Sequence, residues 1–151
     1  MLDEKDKKIL EFLKKNSKLT TQHISKQTMT PITTVHNRIK KLEKAGIIKG
    51  YTIRVDHKKL GYGILAFVLV TVKYDLPNGR KTDQMELSEK LSKHPNIEEC
   101  HIVAGGTDII LKTRVKDMDE LNNFIIKDLR AHEGVDKTTT LVVLSTGGEM
   151  E

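Results

Sequence analysis

Cysteine is almost absent from this sequence, since Cys100 is the single thiol among 151 residues. One cysteine excludes an internal disulfide and any zinc site built from several thiolates. A long apolar run is missing as well, because the longest one, Ile64 to Val72, is far shorter than the roughly 20 residues of a transmembrane helix. The segment Met1 to Lys5 is charged rather than apolar, so no secretory signal is expected. We therefore expect a cytoplasmic protein that does not enter a membrane.

Patterns of catalytic or cofactor chemistry are also missing. Cys100 has no companion residues that would make it a nucleophile, which favours a small buried side chain. Gly105-Gly106 lacks the lysine and the helix of a phosphate-binding loop. The histidines show no spacing typical of metal ligands; they are His23, His36, His57, His94, His101 and His132. The sequence therefore predicts no metal, no cofactor and no enzymatic activity.

Charge is distributed unequally along the chain. Residues 1–60 contain 15 Lys or Arg and 6 Asp or Glu, a net charge of +9. Residues 61–151 contain 11 and 15 of these, a net charge of −4. Such asymmetry suggests that the first half meets a polyanion and that the second half has another task. A lysine-rich solvated surface is the alternative interpretation.

The first half begins with the pattern of two helices. An apolar stripe predicts a helix over residues 3–16, with Asp3 as its N-cap. A shorter helix follows, capped by Thr20 or Thr21 and buried through Ile24. The tight connection Thr28-Met29-Thr30 ends it.

A third helix is predicted from Thr30-Pro31 to Gly46, with Thr30 as a cap and proline in the first turn. Its apolar face consists of Ile32, Val35, Ile39 and Leu42. Its opposite face contains hydroxyls, an amide and cations but no acid; these residues are Thr33, Thr34, Asn37, Lys40, Lys41 and Lys44, with Arg38 on the flank.

Three short helices that end in such a face are typical of a helix-turn-helix DNA reader. Arginine and lysine pair with guanine edges or phosphates, asparagine pairs with adenine, and threonine contacts bases or the thymine methyl. We expect Thr33, Thr34, Asn37 and Arg38 to read bases or fix the register on the duplex. The three lysines, Lys40, Lys41 and Lys44, are expected to hold phosphates. An amphipathic surface helix with a solvated basic face is the alternative.

Residues 47–56 alternate in the manner of a strand, and the loop that follows marks a domain boundary. We predict a DNA-binding domain over residues 1–56, a linker over 57–63 and a second domain over 64–151. In the second domain the pattern predicts strands and helices in the order β-α-β-β-α-β; the segments are 64–74, 84–93, 97–104, 108–115, a helix capped by Asp117 with Glu120 as its capping-box partner, and 135–144. The fold class is therefore α+β, a winged-helix-like helix-turn-helix domain followed by a ferredoxin-like βαββαβ domain.

Several predicted strands are apolar on both faces, as in Phe67-Val68, Ile109-Ile110 and Val142-Val143. Two helices can cover only one face of a four-stranded sheet. An apolar face left open predicts a partner surface, and a symmetric dimer is its simplest use. Cover by the first domain is the alternative.

At this point the sequence resembles the Lrp/AsnC family of transcriptional regulators, also called feast/famine regulatory proteins. The resemblance rests on four stretches: Leu2-Asp3-x-x-Asp6-x-Lys8-Ile9-Leu10, Thr30-Pro31-x-Thr33-x-Val35-x-x-Arg38-Ile39-x-x-Leu42-Glu43-x-x-Gly46-Ile47-Ile48-x-Gly50-Tyr51, Leu60-Gly61-Tyr62, and Gly105-x-x-Asp108. It covers essentially the whole chain. It implies a DNA-binding domain, an amino-acid-sensing domain, and dimers that assemble into octamers.

The resemblance also implies a place for a small effector. It lies at the loop formed by Gly105, Gly106, Thr107 and Asp108, together with Thr138 and Thr140 on the last strand. A carboxylate suits an ammonium group, and loop N–H groups can hold a carboxylate. The sequence departs from the family pattern where Gly106 and Thr107 replace acidic and aromatic residues, and where Thr28 replaces a glycine. A plain hairpin turn is the alternative for this loop.

Three functions are therefore open from the sequence. The first is a sequence-specific regulator that binds double-stranded DNA and responds to a small effector. The second is an architectural, nucleoid-type protein with little sequence preference. The third is a small-molecule-binding module or enzyme on the second domain, for which no convergent catalytic group is present.

Overall fold

A computed structural model describes residues 2–147, and the chain divides into two compact units with the boundary between Val55 and Asp56. The first unit contains three helices: α1 (Glu4–Lys15), α2 (Thr21–Thr28) and α3 (Ile32–Lys44). Their fully buried core consists of Ile9, Ile24 and Val35. A core of three residues is small, so each of them carries a large share of the stability of this unit.

The helix starts follow from local side-chain chemistry. Asp3 accepts a hydrogen bond from the Asp6 N–H at 2.9 Å, and Asp6 accepts from the Asp3 N–H at 3.2 Å, which completes a capping box. Thr20 caps α2 by accepting from the His23 N–H at 3.1 Å. The prediction that Thr30 caps α3 is wrong. Its hydroxyl donates to the Thr28 carbonyl instead, and no side chain caps α3.

The prediction of a strand over residues 47–56 is also wrong. These residues follow α3 without forming a sheet, although their sequence has strand character. A strand exists only when a neighbour pairs with its backbone, and no described segment of the first unit does so. Ile53 and Tyr51 are accordingly 74% and 52% exposed.

The second unit confirms the predicted element order. Its strands are β1 (Ile64–Val72), β2 (Ile97–Ile102), β3 (Ile109–Val115) and β4 (Val135–Val142), and its helices are α4 (Gln84–Leu91) and α5 (Met118–Asn123). The sheet order is β2-β3-β1-β4, and every neighbouring pair is antiparallel. Helix α5 continues through one π turn and one 3₁₀ turn as far as Ala131. The α+β fold class with a ferredoxin-like second domain is confirmed.

One face of this sheet and the two helices enclose the core of the second unit. Alternate residues of β1 and β3 point towards the helices, because side chains alternate along a strand. The helices contribute apolar residues that meet them, of which Phe124 is the largest fully buried side chain. The buried set from the two strands is Ala66, Val68, Val70, Val72, Ile109, Leu111, Thr113 and Val115.

The start of α5 differs in one detail from the prediction. Asp117 caps the helix by accepting from the Glu120 N–H at 2.8 Å, as predicted. The carboxylate of Glu120, however, accepts from the Lys116 N–H at 2.7 Å rather than from the cap residue itself. The reciprocal bond of a capping box is thus displaced by one residue.

The opposite sheet face is apolar at its centre and charged along one side. Phe67 pairs with Leu141 on β4 and with Lys112 on β3, so these three side chains share this face. We call it the open face; its apolar members are Leu65, Phe67, Leu69, Ile110 and Leu141. On its β2–β3 side, Glu98 and Glu99 form ion pairs with Arg114 at 2.6 Å and with Lys112 at 2.8 Å.

Candidate nucleic-acid interface and ligand site

Helix α3 presents most of its predicted polar face outward. Thr33, Asn37, Lys41 and Lys44 are exposed, and Thr34 is half-buried. Within the described part of the chain, no side-chain hydrogen bond or ion pair engages any of them. Val35 and Leu42 are buried on the other side of the helix. The core thus fixes the helix so that hydroxyl, amide and ammonium groups are free to meet a ligand.

Ile32 of α3 differs from its predicted place, and Lys40 is exposed as predicted but has an acidic partner. Ile32, predicted for the apolar face, is 48% exposed because it is the first residue of the helix and lies beyond the small core. The ammonium of Lys40 lies 3.1 Å from the Glu43 carboxylate, which also accepts from the Tyr51 hydroxyl at 2.9 Å. Donation by Tyr51 and by Lys40 lowers the pKa of Glu43, in that order of importance. Glu43 therefore stays ionised and partly neutralises Lys40.

Arg38 is held within the first unit rather than presented to solvent. One guanidinium nitrogen, Nη1, lies 2.6 Å from Asp3 Oδ2 and 2.7 Å from Asp6 Oδ1. The side chain of Arg38 is 26% exposed, and that of Asp6 is 9% exposed. This arrangement ties α3 to the first turn of α1.

The loop of the second unit is held at its base by Asp108. Its Oδ2 accepts from the Val72 N–H at 2.8 Å, and its Oδ1 accepts from the Tyr74 hydroxyl at 2.7 Å and from the Gln84 amide at 3.3 Å. Thr107 donates from its hydroxyl to the Val70 carbonyl at 2.9 Å. The carboxylate that was predicted to meet an ammonium group thus already has three donors.

The tip of the same loop is different. Within the described residues, the backbone N–H groups of Gly105, Gly106 and Thr107 form no hydrogen bond. Gly105 has φ +143°, a conformation that side-chain-bearing residues rarely adopt. Adjacent free N–H groups in a glycine-rich turn can hold an anion. The tip, rather than Asp108, therefore offers the free binding groups of this loop.

Thr138 and Thr140 lie on the other side of β1 from this loop. They pair with Val70 and Val68, whose side chains are buried under the helices, so both threonines point to the helix side of the sheet. Thr138 accepts from Arg130 Nε at 3.1 Å. Since strands are about 4.8 Å apart, roughly 10 Å separates β4 from β3. Within one chain these two sets of predicted ligand residues are not adjacent.

Tyr74 and Gln84 are site residues that sequence reasoning missed. Gln84 also donates to the Tyr74 hydroxyl at 3.1 Å, so Tyr74, Gln84 and Asp108 form one cluster. Hydrogen bonding to the ionised Asp108 raises the pKa of Tyr74. No local pattern signals this cluster, because Asp108 follows the other two by more than 20 residues in the sequence.

Neutralising Asp108 by Asp108→Asn should destabilise the second unit at neutral pH. The N–H of Val72 and then the hydroxyl of Tyr74 lower the pKa of Asp108 below its usual 3.8. A lowered carboxyl pKa stabilises the fold above the unfolded value and loses that effect as the pH falls through the folded value. The difference in melting temperature from wild type should therefore be full at neutral pH, shrink as the pH falls below 3.8, and vanish below the lowered pKa of the folded state. Thermal melts across this range measure it, and a difference that is constant with pH would contradict the ionic role.

Cys100 and the possible metal ligands of the described residues were candidates for further chemistry. The Cys100 thiol is half-buried, and desolvation raises its pKa, so it stays protonated. Among residues 2–147, no group of three or more His, Cys, Asp or Glu is arranged to hold a metal ion. In the same residues, no helix is long and apolar enough to cross a membrane.

Comparison with known proteins identifies both units. Residues 2–49 match the family model described as winged helix-turn-helix DNA-binding, and residues 65–149 match the Lrp/AsnC ligand binding domain. The HTH-type transcriptional regulator FL11 of Pyrococcus furiosus is 41% identical over 149 residues, which cover 99% of this chain and 93% of the relative. The transcriptional regulator AzlB of Bacillus subtilis is 36% identical over 146 residues, which cover 97% and 90%.

Solved structures agree with this assignment over the full length. A transcriptional regulator from Neisseria meningitidis, solved as a complex with L-Met, superposes with a TM-score of 0.87 at 28% identity and covers 99% of this chain and 94% of that one. LrpC of B. subtilis superposes with a TM-score of 0.83 at 32% identity and covers 98% of each chain.

The chain belongs to the Lrp/AsnC family of transcriptional regulators. It is a DNA-binding regulator with a helix-turn-helix domain and a ligand-binding domain. The names of its relatives favour regulation of transcription over the architectural alternative.

Proposed function

We propose that this regulator binds its operator as a two-fold symmetric assembly, with Thr33, Thr34 and Asn37 of α3 at base edges and Lys40, Lys41 and Lys44 at phosphates. The observation that carries this assignment is the set of unengaged polar side chains on α3, opposite the buried Val35 and Leu42. The N-terminal half of a recognition helix meets base edges, and its distal cations suit the backbone. Lys40 is the weakest phosphate ligand, because Glu43 shares its charge.

Selection of bound duplexes from a random library tests the proposal that DNA binding is sequence-specific. Salt at about 150 mM suppresses binding that depends on phosphates alone. We expect a near-palindrome whose half-sites lie about 10–10.5 base pairs apart, or a multiple of that distance. Salt-sensitive binding without a recovered motif would instead support the architectural alternative.

Replacing Lys41 and Lys44 together by glutamine should weaken binding to every duplex about a thousandfold at roughly 150 mM salt, because a two-fold assembly loses four phosphate contacts and the logarithmic salt slope changes by about 3.6. The expected signature is an equal loss for operator and random DNA with a flatter salt slope. Fluorescence anisotropy over a salt series measures both quantities. Lys26→Gln, a cation on α2, is the control. A change in the preferred sequence would assign these lysines to base reading instead.

We further propose that the second unit binds a small carboxylate, of the class of an amino acid, at the tip of the Gly105–Asp108 loop. The free N–H groups of the tip support an anion site, and a related regulator is known as a complex with L-Met. Because Thr138 and Thr140 lie across β1 from the loop, a ligand that touches both sets bridges two copies of the chain. Calorimetric titration with each amino acid and with acetate tests this, and the absence of any heat would contradict it.

Self-association through the open face completes the proposal. Its apolar centre with a charged side is the usual composition of an interface, which has an apolar core and a polar rim. A two-fold dimer would bring Phe67 and its symmetry mate into the same interface. Assembly of such dimers into octamers is the expectation from the family resemblance. Analytical ultracentrifugation measures the species present.

A further inference from the structure

Asp3, Asp6 and Arg38 form a cluster, which we call the Arg38 cluster. All four carboxylate oxygens of its two acids accept hydrogen bonds. In each carboxylate one oxygen completes the capping box of α1, and the other accepts from Arg38 Nη1. A single guanidinium nitrogen thus bridges both acids, at 2.6 Å from Asp3 and 2.7 Å from Asp6. The bridge joins the start of the first helix to the middle of the DNA-facing helix.

The cluster is shielded from water on the Asp6 side, whereas the Asp3 side chain is 53% exposed, and Nη2 is the guanidinium nitrogen of Arg38 that stays available. Asp6 is nearly buried, at 9% side-chain exposure, and Arg38 Nε is buried without a hydrogen-bond partner among the described atoms. Leaving such a nitrogen unpaired is unfavourable, so the two short bonds of Nη1 must outweigh that loss. A bidentate contact with a guanine edge needs N–H groups from two guanidinium nitrogens, so with Nε buried it would require Nη1 to leave both carboxylates.

The position of Arg38 around the helix axis gives this bridge a function. At about 100° per residue, Arg38 lies about 40–60° from Thr34 and Lys41 on one side, and by the same angle from Leu42 and Val35 on the other. It therefore occupies the border between the DNA-facing side and the core. A tie at this border opposes rotation of α3 about its own axis, which the small core by itself restrains weakly.

We propose that Arg38, through Asp3 and Asp6, is the positioning residue that sets the rotation of α3 and thereby the aim of its base-reading side chains. The proposal rests on the assignment of α3 as the reading helix. It replaces the expectation that Arg38 itself reads bases. Loss of the tie should reduce discrimination between sequences and leave the count of phosphate contacts unchanged.

Two variants remove the tie from its opposite ends. Arg38→Gln removes the cation, whereas the double variant Asp3→Ser with Asp6→Gln keeps a Ser-x-x-Gln capping box and removes both carboxylates. We expect each variant to lower the ratio of operator to random-DNA affinity about tenfold, since several base contacts are weakened together. The salt slope should stay at the wild-type value. The triple variant should show no further loss, because all three changes break one interaction.

Matched controls separate this role from its alternatives. Asn37→Ala should alter preference at one or two base pairs of each half-site only, and Lys41→Gln should flatten the salt slope by about 1.8, because the two-fold assembly loses two phosphate contacts. Arg38→Lys should restore part of the lost ratio. Circular dichroism must show the helices of each variant folded at the assay temperature.

Each remaining outcome overturns the proposal. A wild-type ratio in the Ser/Gln variant together with a lost ratio in Arg38→Gln would make Arg38 a base reader after all. A salt slope flattened by Arg38→Gln would make it a phosphate ligand. Unfolding of the first unit in both variants would leave the cluster with a role in stability alone. If Arg38→Gln, Asn37→Ala and Lys41→Gln all leave DNA binding unchanged, the assignment of α3 as the reading helix fails. If only Arg38→Gln leaves it unchanged, the positioning role of Arg38 fails and the assignment of α3 stands.

Discussion

Replacing Ile24 by alanine should abolish DNA binding by this regulator while its ligand-binding unit stays folded. Ile24 is fully buried in a core that has only two other such members, Ile9 and Val35. Truncating a buried isoleucine costs about 2–5 kcal/mol. A unit of about 55 residues has a total stability of roughly 3–8 kcal/mol. The substitution therefore removes most of the free energy that keeps α3 in place.

Thermal unfolding followed by circular dichroism, with DNA binding by anisotropy on the same samples, measures this effect. The control Ile24→Val should cost about 0.5–1.5 kcal/mol and retain binding. Ile32→Ala, at a residue that is 48% exposed, should change the melting temperature very little. Retention of operator affinity by Ile24→Ala would show that the three-residue core does not determine the stability of this unit.

Replacing Phe67 by glutamate should convert the proposed open-face dimer into monomers. Phe67 lies at the centre of the open face and pairs with Leu141 on β4. A two-fold interface would bury two such carboxylates, and each unpaired buried charge costs several kcal/mol. The dissociation constant of the dimer should therefore rise at least about a thousandfold. Loss of the second α3 should also weaken binding to a palindrome by about 10²–10⁴.

Sedimentation velocity at several concentrations measures the first effect, and anisotropy on whole and half operators measures the second. Phe67→Leu keeps an apolar side chain at the same place and should preserve the dimer. Affinity for a single half-site should change little in the glutamate variant. If the glutamate variant is still a dimer, the interface lies on another surface. The exposed segment with Tyr51 and Ile53 is the next candidate.

Local patterns in the sequence were sufficient to predict the helices and the topology of the second unit. The caps Asp3, Thr20 and Asp117 are where side-chain chemistry placed them, because a cap and its first turn are neighbours in the chain. Alternation along β1 and β3 divided their residues into two faces, and the structure decided which face meets the helices. The polar face of α3 followed from helical periodicity alone.

Interactions between distant segments could not be obtained in this way. The strand expected over residues 47–56 needs a backbone partner, which the described part of the first unit does not supply. Arg38 carries the same charge as its lysine neighbours on α3, and only the approach of α1 makes it a partner of Asp3 and Asp6. Asp108 resembled a free ligand until Tyr74 and Gln84 came within hydrogen-bond distance.

Apart from the strand expected over residues 47–56, the sequence by itself thus determined the identity and order of the elements and the family, since periodicity, capping and motif spacing act over a few residues. The tertiary structure decided which charged groups remain free. Arg38 and Asp108 are engaged, whereas Lys41, Lys44 and the tip of the glycine loop are not. The physical reason is that an ion pair or a hydrogen bond depends on distances of about 3 Å between segments that lie far apart along the chain.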